Sequence, residues 1–192
     1  MNSPLKYVES RTRAQIEHSA GLFRKLLGLN GHDRIEMLPV LEIALPEIYE
    51  SDVLLIEDDK DLPGVEGITS LTEPIIQLPN SVYRQLMRGD RRARFTAAHE
   101  LGHLLLHCKQ PVHFARHKRA DWKTDPEWQA NTFAAALLMP EKGVRRCKSI
   151  EEITKKFGVS YEAAKCRAKV LKMNLTYKKT KKKGTYAKRK SP

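Results

Sequence analysis

The chain has little cysteine: three residues in 192, Cys108, Cys147 and Cys166, odd in number and far apart. No Cys-x-x-Cys pair occurs among them. That excludes a disulfide framework and a thiolate zinc site as the expected organisation, and a reducing cytoplasm is the simplest home. Long apolar runs are missing too. Nothing approaches the roughly 18 residues needed to span a bilayer, so no membrane role is expected. The N-terminal Met1-Asn2-Ser3-Pro4-Leu5-Lys6 has no hydrophobic signal core, and secretion is not expected. Internal repeats are lacking. Acidic residues disappear from Lys172 onward, where Lys172, Lys178, Lys179, Lys181, Lys182, Lys183, Lys188, Arg189 and Lys190 stand with no Asp or Glu. These nine account for most of the net charge of +12, and 12 − 9 leaves +3 for the rest of the chain. The body is therefore almost neutral, and the composition is not that of a domain built throughout to grip nucleic acid.

What is present is a 41% hydrophobic chain, enough for a core. Helical spacing of Ile16, Ala20, Phe23, Leu26 and Leu27 predicts a first helix from Arg11 to Leu27, with Gly28 and Gly31 as stops. A short helical stretch is expected from Pro39 to Ala44, limited by Pro46. Val53–Ile56, Val65–Leu71 and Ile75–Leu78 read as strands of a small, mostly antiparallel sheet. From Ser81 the pattern turns helical. Asp90 caps a helix running from Arg91 to Cys108. Asp125 and Pro126 open another that ends at Met139 before Pro140. Ser149 with Glu152 forms a capping box for a helix to Phe157, and Tyr161 to Met173 is the last helix. The segment from Thr176 to Pro192, Lys-rich and without bulky aliphatics, is expected to be disordered.

The Arg91–Cys108 helix contains His99-Glu100-Leu101-Gly102-His103. A spacing of four brings two imidazoles onto one helical face, able to converge on one ion. Glu100, one position on, lies beside such an ion and can take a proton from water that it activates. A third ligand is needed. Leu106 and Lys109 stand where an extended Gly-and-His version of the motif would require Gly and His, closing that route. His107 lies two turns, about 12 Å, along the axis from His99, and a surface position or a contact behind the ligands is expected for it. His113, His117, Asp121, Asp125 and Glu127 remain. Glu127 is the best placed, in the first turn of a helix whose face carries Ala130, Asn131 and Ala134, although an acid there also simply complements the helix dipole.

Taken together, Arg94-Phe95-Thr96-Ala97-Ala98-His99-Glu100-Leu101-Gly102-His103, Glu127-Trp128-Gln129-Ala130-Asn131-Thr132-Phe133-Ala134 and Leu137-Leu138-Met139-Pro140 resemble the ImmA/IrrE family of zinc metallopeptidases. The resemblance implies an α+β fold in which the sheet packs on a zincin-type helix pair, with thermolysin-like chemistry. It implies one Zn2+ per chain on His99, His103 and Glu127, with Glu100 as catalytic base. It further implies an endopeptidase acting on a DNA-binding repressor or antitoxin and so relieving repression. The alternative is a non-catalytic DNA- or repressor-binding regulator with a structural metal site. Tyr83, His113 and His117 are candidates for the oxyanion partner by residue type alone. Asn131 is expected either to pack or to bond a ligand.

The expected organisation is an N-terminal helical segment (1–50), a metallopeptidase core (51–148), a helix-turn-helix-like extension packed on it (149–173) and the Lys-rich tail (174–192). In the extension, packing is set against a reading helix from Ser160 offering Lys165, Arg167 and Lys169. The basic tail could add weak, salt-sensitive nucleic-acid contacts.

Overall fold

The computed structural model describes residues 5–111, 113–115 and 121–175, without side chains at 5, 6 and 113–115. The expected disordered tail and His117 lie outside the described residues. The fold is α+β. Strand β1 (Leu5–Tyr7) leads into α1 (Arg13–Leu26), which starts later than the spacing predicted because Thr12 caps it, exchanging bonds with Gln15 in a capping box. A continuous helical stretch follows: α2 (Met37–Pro39), a π-helical turn (Val40–Ala44) and α3 (Leu45–Tyr49). The expected stop at Pro46 does not occur. The proline falls at the start of α3 directly after the widened turn, where Leu45 N–H already bonds Val40 O and the ordinary i→i−4 ladder is interrupted, so its missing N–H is accommodated.

Strands β2 (Leu54–Glu57), β3 (Ile68–Thr69) and β4 (Ile76–Pro79) form a sheet in the order β2-β4-β3. Its longest ladder is parallel, Leu54 opposite Ile76 through Glu57 opposite Pro79. The β3–β4 pairing is antiparallel, with Ile68 opposite Gln77 and Thr69 opposite Ile76. A separate ribbon pairs β1 antiparallel with β5 (His113–Ala115). Antiparallel pairing thus holds for two of these ladders, while the centre of the main sheet is parallel. The strand expected over Val65–Leu71 shrinks to two residues, because the turns around Pro63 and Gly64 (φ +72°) delay its pairing.

Helix α4 (Asn80–Met87) precedes α5 (Arg91–His107). Asp90 caps α5 as expected, accepting from the backbone N–H groups of Arg92 and Ala93 at 2.8 and 2.9 Å. A short 3-10 turn (Trp122–Thr124) leads to α6 (Pro126–Leu138), capped by Asp125 through the Glu127 N–H at 2.9 Å. The close approach of α5 and α6 depends on Gly102: a Cβ there would sit 3.1 Å from the Cα and carbonyl oxygen of Ala130.

After α7 (Glu141–Val144), helices α8 (Ile150–Phe157) and α9 (Tyr161–Val170) close the structure. Ser149 accepts from the Glu152 N–H at 3.1 Å, but the Glu152 carboxylate reaches back to Lys148 N at 2.7 Å rather than to the cap itself, so half of the expected capping box forms. Phe157, Val159, Ala164 and Ala168 are buried in the common core with Leu101, Phe133 and Leu137. Arg167 points inward at 2% exposure, bonding Met139 O at 3.0 Å and the Glu17 carboxylate at 2.7 Å. The α8–α9 pair therefore packs, and a helix reading DNA through Arg167 is excluded. Among the described residues no helix is long and apolar enough to cross a membrane.

Candidate metal centre

The sequence-predicted residues His99, His103 and Glu127 come together. Nε2 of His99 and Nε2 of His103 are 3.0 Å apart, and they lie 3.2 and 3.3 Å from Oε2 and Oε1 of Glu127. One ligand atom from each of the three falls within 4.8 Å of the others, so the group could hold a metal ion. The geometry follows from local rules. Two ligands are one helical turn apart on α5, and Asp125 sets the first turn of α6 so that Glu127 faces them. The Ala130–Gly102 contact brings the helices close enough for the carboxylate to reach.

Electrostatics agree with the geometry. The His103 and His99 imidazoles hold the Glu127 carboxyl well below the usual carboxylate range against the opposing effect of burial. Burial works against charge on His99, but its bond to Glu127 and the nearby Glu100 charge outweigh it and raise the imidazole above its ordinary value. With both imidazoles neutral, three electron-rich groups aim lone pairs at one another. Such a cluster is relieved by a shared proton or by a cation. A set of two imidazoles and one carboxylate, with the rest of the cleft open, is the donor chemistry of a catalytic zinc centre, and the residues fit that ion.

Glu100 lines the same cleft of about 490 Å³, together with Val8, Gly67, Thr69, Phe95, His99, His103, Glu127 and Asn131. Thr69 Oγ1 lies 2.7 Å from Glu100 Oε2 and 3.0 Å from its carbonyl oxygen, donating its proton between them. Gly67 is the only residue type that fits opposite, since a Cβ there would meet Glu100 Cγ at 2.8 Å. The two-residue strand β3 thus fixes the carboxylate of the helix that faces it.

Of the two expectations for His107, the contact behind the ligands holds and the surface position does not: the residue is 1% exposed, and burial pushes its pKa down to about 4. Its Nδ1 lies 3.0 Å from His103 Nδ1, and its Nε2 lies 3.1 Å from Gln129 Oε1. Asn131 Oδ1 lies 3.2 Å from His99 Nδ1, so Asn131 bonds the ring rather than merely packing. The other downstream candidates stay away from the cluster: Asp121 and Asp125 cap helical turns, and the His113 side chain is not among the described ones. Tyr83 bonds Glu42 at 2.6 Å and does not line the cleft. Sequence reasoning missed Gly67, Thr69 and Gln129. A Gly-Ile-Thr run ahead of the motif helix carried no signal of its own, and Gln129 passed as one more position of α6.

No curated protein matches the chain. A solved structure of a Mycobacterium tuberculosis transcriptional regulator shares the fold with a TM-score of 0.53 at 15% identity. The match covers 80% of this chain and 46% of that one, so the chain spans less than half the length of the regulator. The family described as the IrrE N-terminal-like domain, of the M78 peptidases, matches residues 88–169, a span that contains α5, α6, His99, Glu100, His103 and Glu127. Over those residues the expected resemblance holds: this part of the chain is similar to the IrrE N-terminal-like domain of the M78 peptidases.

Proposed function

We propose that the chain is a zinc-dependent endopeptidase that hydrolyses a peptide bond in a regulatory protein of the DNA-binding repressor or antitoxin class, in the cytoplasm. The observation that carries this reading is the convergence of His99 Nε2, His103 Nε2 and the Glu127 carboxylate within 4.8 Å, beside an acid on the same cleft wall. His99, His103 and Glu127 would hold the metal, leaving one position open. When bound, zinc supplies Lewis acidity, bringing the pKa of water close to neutrality and polarising a carbonyl. Glu100 serves as general base, taking the proton from the attacking water and returning it to the leaving amine. Thr69 keeps the Glu100 carboxylate on the cleft side while that proton moves, and Asn131 steadies the His99 ring.

The test is the Glu100→Gln protein incubated with the product of an adjacent repressor gene, with and without a chelator. Zinc content should be unchanged while cleavage falls by about 10²–10⁴-fold. Full cleavage by this variant would end the hydrolase reading.

A second reading, a regulator whose metal is structural, is favoured by the likeness to a transcriptional regulator; in that case Glu100→Gln leaves the regulatory output untouched. We further propose that 51–148 forms the metallopeptidase core flanked by the 1–50 and 149–173 segments. The Lys-rich tail 174–192 would add weak nucleic-acid contact, and deletion of 176–192 should then flatten the salt dependence of DNA binding.

A further inference from the structure

Behind His103 stands a chain of polar groups that the proposed chemistry does not use, and it ends on two backbone carbonyls, Glu9 O and Lys123 O. Gln129 is fully buried. Its Nε2 donates to Glu9 O at 2.8 Å and to Lys123 O at 2.7 Å, so both amide protons are committed to carbonyl oxygens. The amide cannot be turned over without setting oxygen against oxygen at two contacts. Its Oε1 therefore faces His107 Nε2, at 3.1 Å, as an acceptor, and the proton of that bond belongs to His107 Nε2.

His107, buried and bearing this one proton, presents a lone pair at Nδ1 to His103 Nδ1, 3.0 Å away. His103 must then donate from Nδ1, which leaves its Nε2 lone pair on the side of Glu127 Oε1 and His99 Nε2. Each ring nitrogen of His107 is thus occupied, which also explains why it is not itself a ligand. Metal-bound histidines ordinarily donate their outer N–H to a carboxylate, a carbonyl or water; here an imidazole with an amide behind it takes that part.

We infer that His107 and Gln129 are positioning residues: the relay Gln129–His107–His103 fixes the tautomer and ring orientation of His103 so that its Nε2 is offered to the metal. The relay also fastens the ligand to the N-terminal arm. Glu9 O belongs to a segment whose neighbours Val8 and Arg11 donate backbone bonds to Thr124 O and Lys123 O at 2.9 and 3.1 Å. The same 3-10 turn before α6 that sets Glu127 therefore sets Gln129, and through it His103.

The inference rests on the metal reading above, and its test separates the two. Zinc affinity of the full chain is measured by competition with a chromophoric chelator for wild type, Gln129→Met, Gln129→Glu and His107→Phe, with urea midpoints recorded for each. Gln129→Met keeps length and removes the acceptor, so affinity should fall by about 10–100-fold. Gln129→Glu still offers His107 an oxygen and should recover most of that loss, even though its stability suffers from the surrendered bonds to Glu9 and Lys123. The Gln129→Met/His107→Phe double variant should lose no more affinity than the worse single variant, because both cut one relay.

Long-range proton–nitrogen NMR of the histidine rings in the zinc-loaded wild type should find the proton on Nδ1 of His103 and on Nε2 of His107. That spectrum decides the matter even where a variant fails to fold. Unchanged affinity in Gln129→Met, affinity that merely tracks stability across the set, or the opposite tautomers would overturn the relay while leaving the metal centre standing. A wild-type chain that binds no zinc removes both.

Discussion

The molecule holds two kinds of polar cluster, one buried in the core and one lining the cleft, and treats them in opposite ways. Three arginines sit inside at 1–4% exposure, and each aims its protons at acceptors. Arg24 bonds Leu137 O and Leu29 O at 2.7 and 3.0 Å, with a further short contact to His32 O. Arg94 joins Ile35 O to Phe157 O, both at 3.2 Å, and also holds Gly158 O. Arg167 ties Met139 O to Glu17. In these clusters donors meet acceptors and the hydrogen-bonding is complete, so they clamp α1, α5 and α8–α9 around the core. At His99, His103 and Glu127 acceptors meet acceptors, at 3.0–3.3 Å. The first pattern is finished without a guest. The second is finished only by a shared proton or a bound cation. A cluster of charged and polar groups by itself thus says little about chemistry; the direction in which the protons point says more.

That contrast can be broken by measurement, and the largest effect should come from an arginine. Arg94→Met leaves the carbonyls of Ile35 and Gly158 without their donor, and it should lower stability in urea by about 3 kcal/mol or more. The loss should be the same with zinc or with chelator, since no ligand touches this cluster. Next in size, zinc itself at a free concentration about 100 times its dissociation constant should raise stability by about 2.7 kcal/mol. Calorimetry should find this increment in wild type and not in Glu127→Ala; an equal increment in both would show that the ion binds elsewhere.

Gly102→Ala should cost about 1–3 kcal/mol by overpacking α5 against α6. It should weaken zinc binding as well, because the same contact sets the reach of Glu127. Gly67→Ala should cost about 1 kcal/mol, the low end of overpacking, because the clash falls on one side chain rather than on backbone. By pushing the Glu100 carboxylate aside it should still reduce cleavage by about 100-fold with zinc retained. A Gly67→Ala protein of full activity would mean that Thr69 alone positions the carboxylate.

How much of this was legible depended on range along the chain. Asp90, Asp125 and Pro126 act within one turn of their own positions, and the sequence placed α5 and α6 to within a residue or so of their observed ends. The pairing of His99 with His103 was equally local. Glu127 needed one tertiary fact, the closeness of two helices, and small residues on the α6 face hinted at it. The rest lay further off. The β1–β5 ribbon joins segments about a hundred residues apart and has no periodic signature in three-residue strands. The parallel β2–β4 ladder has β3 lying between its strands in sequence but at the edge of the sheet in space. For His107 a surface position and a contact behind the ligands stood open together, because a histidine in the last turn of a helix also complements the dipole from the surface. Only Gln129, presented from a different helix, makes its burial tolerable.

The size of the cleft carries one more consequence. About 490 Å³ accommodates a few residues of extended chain and no folded module. On the proposed reading, a target would have to surrender a stretch of backbone from its own structure before the scissile bond could arrive. Local unfolding of that kind has its own free energy in each protein. Susceptibility to cutting would then be set as much by how loosely the victim holds a linker as by anything displayed in the residues around the metal.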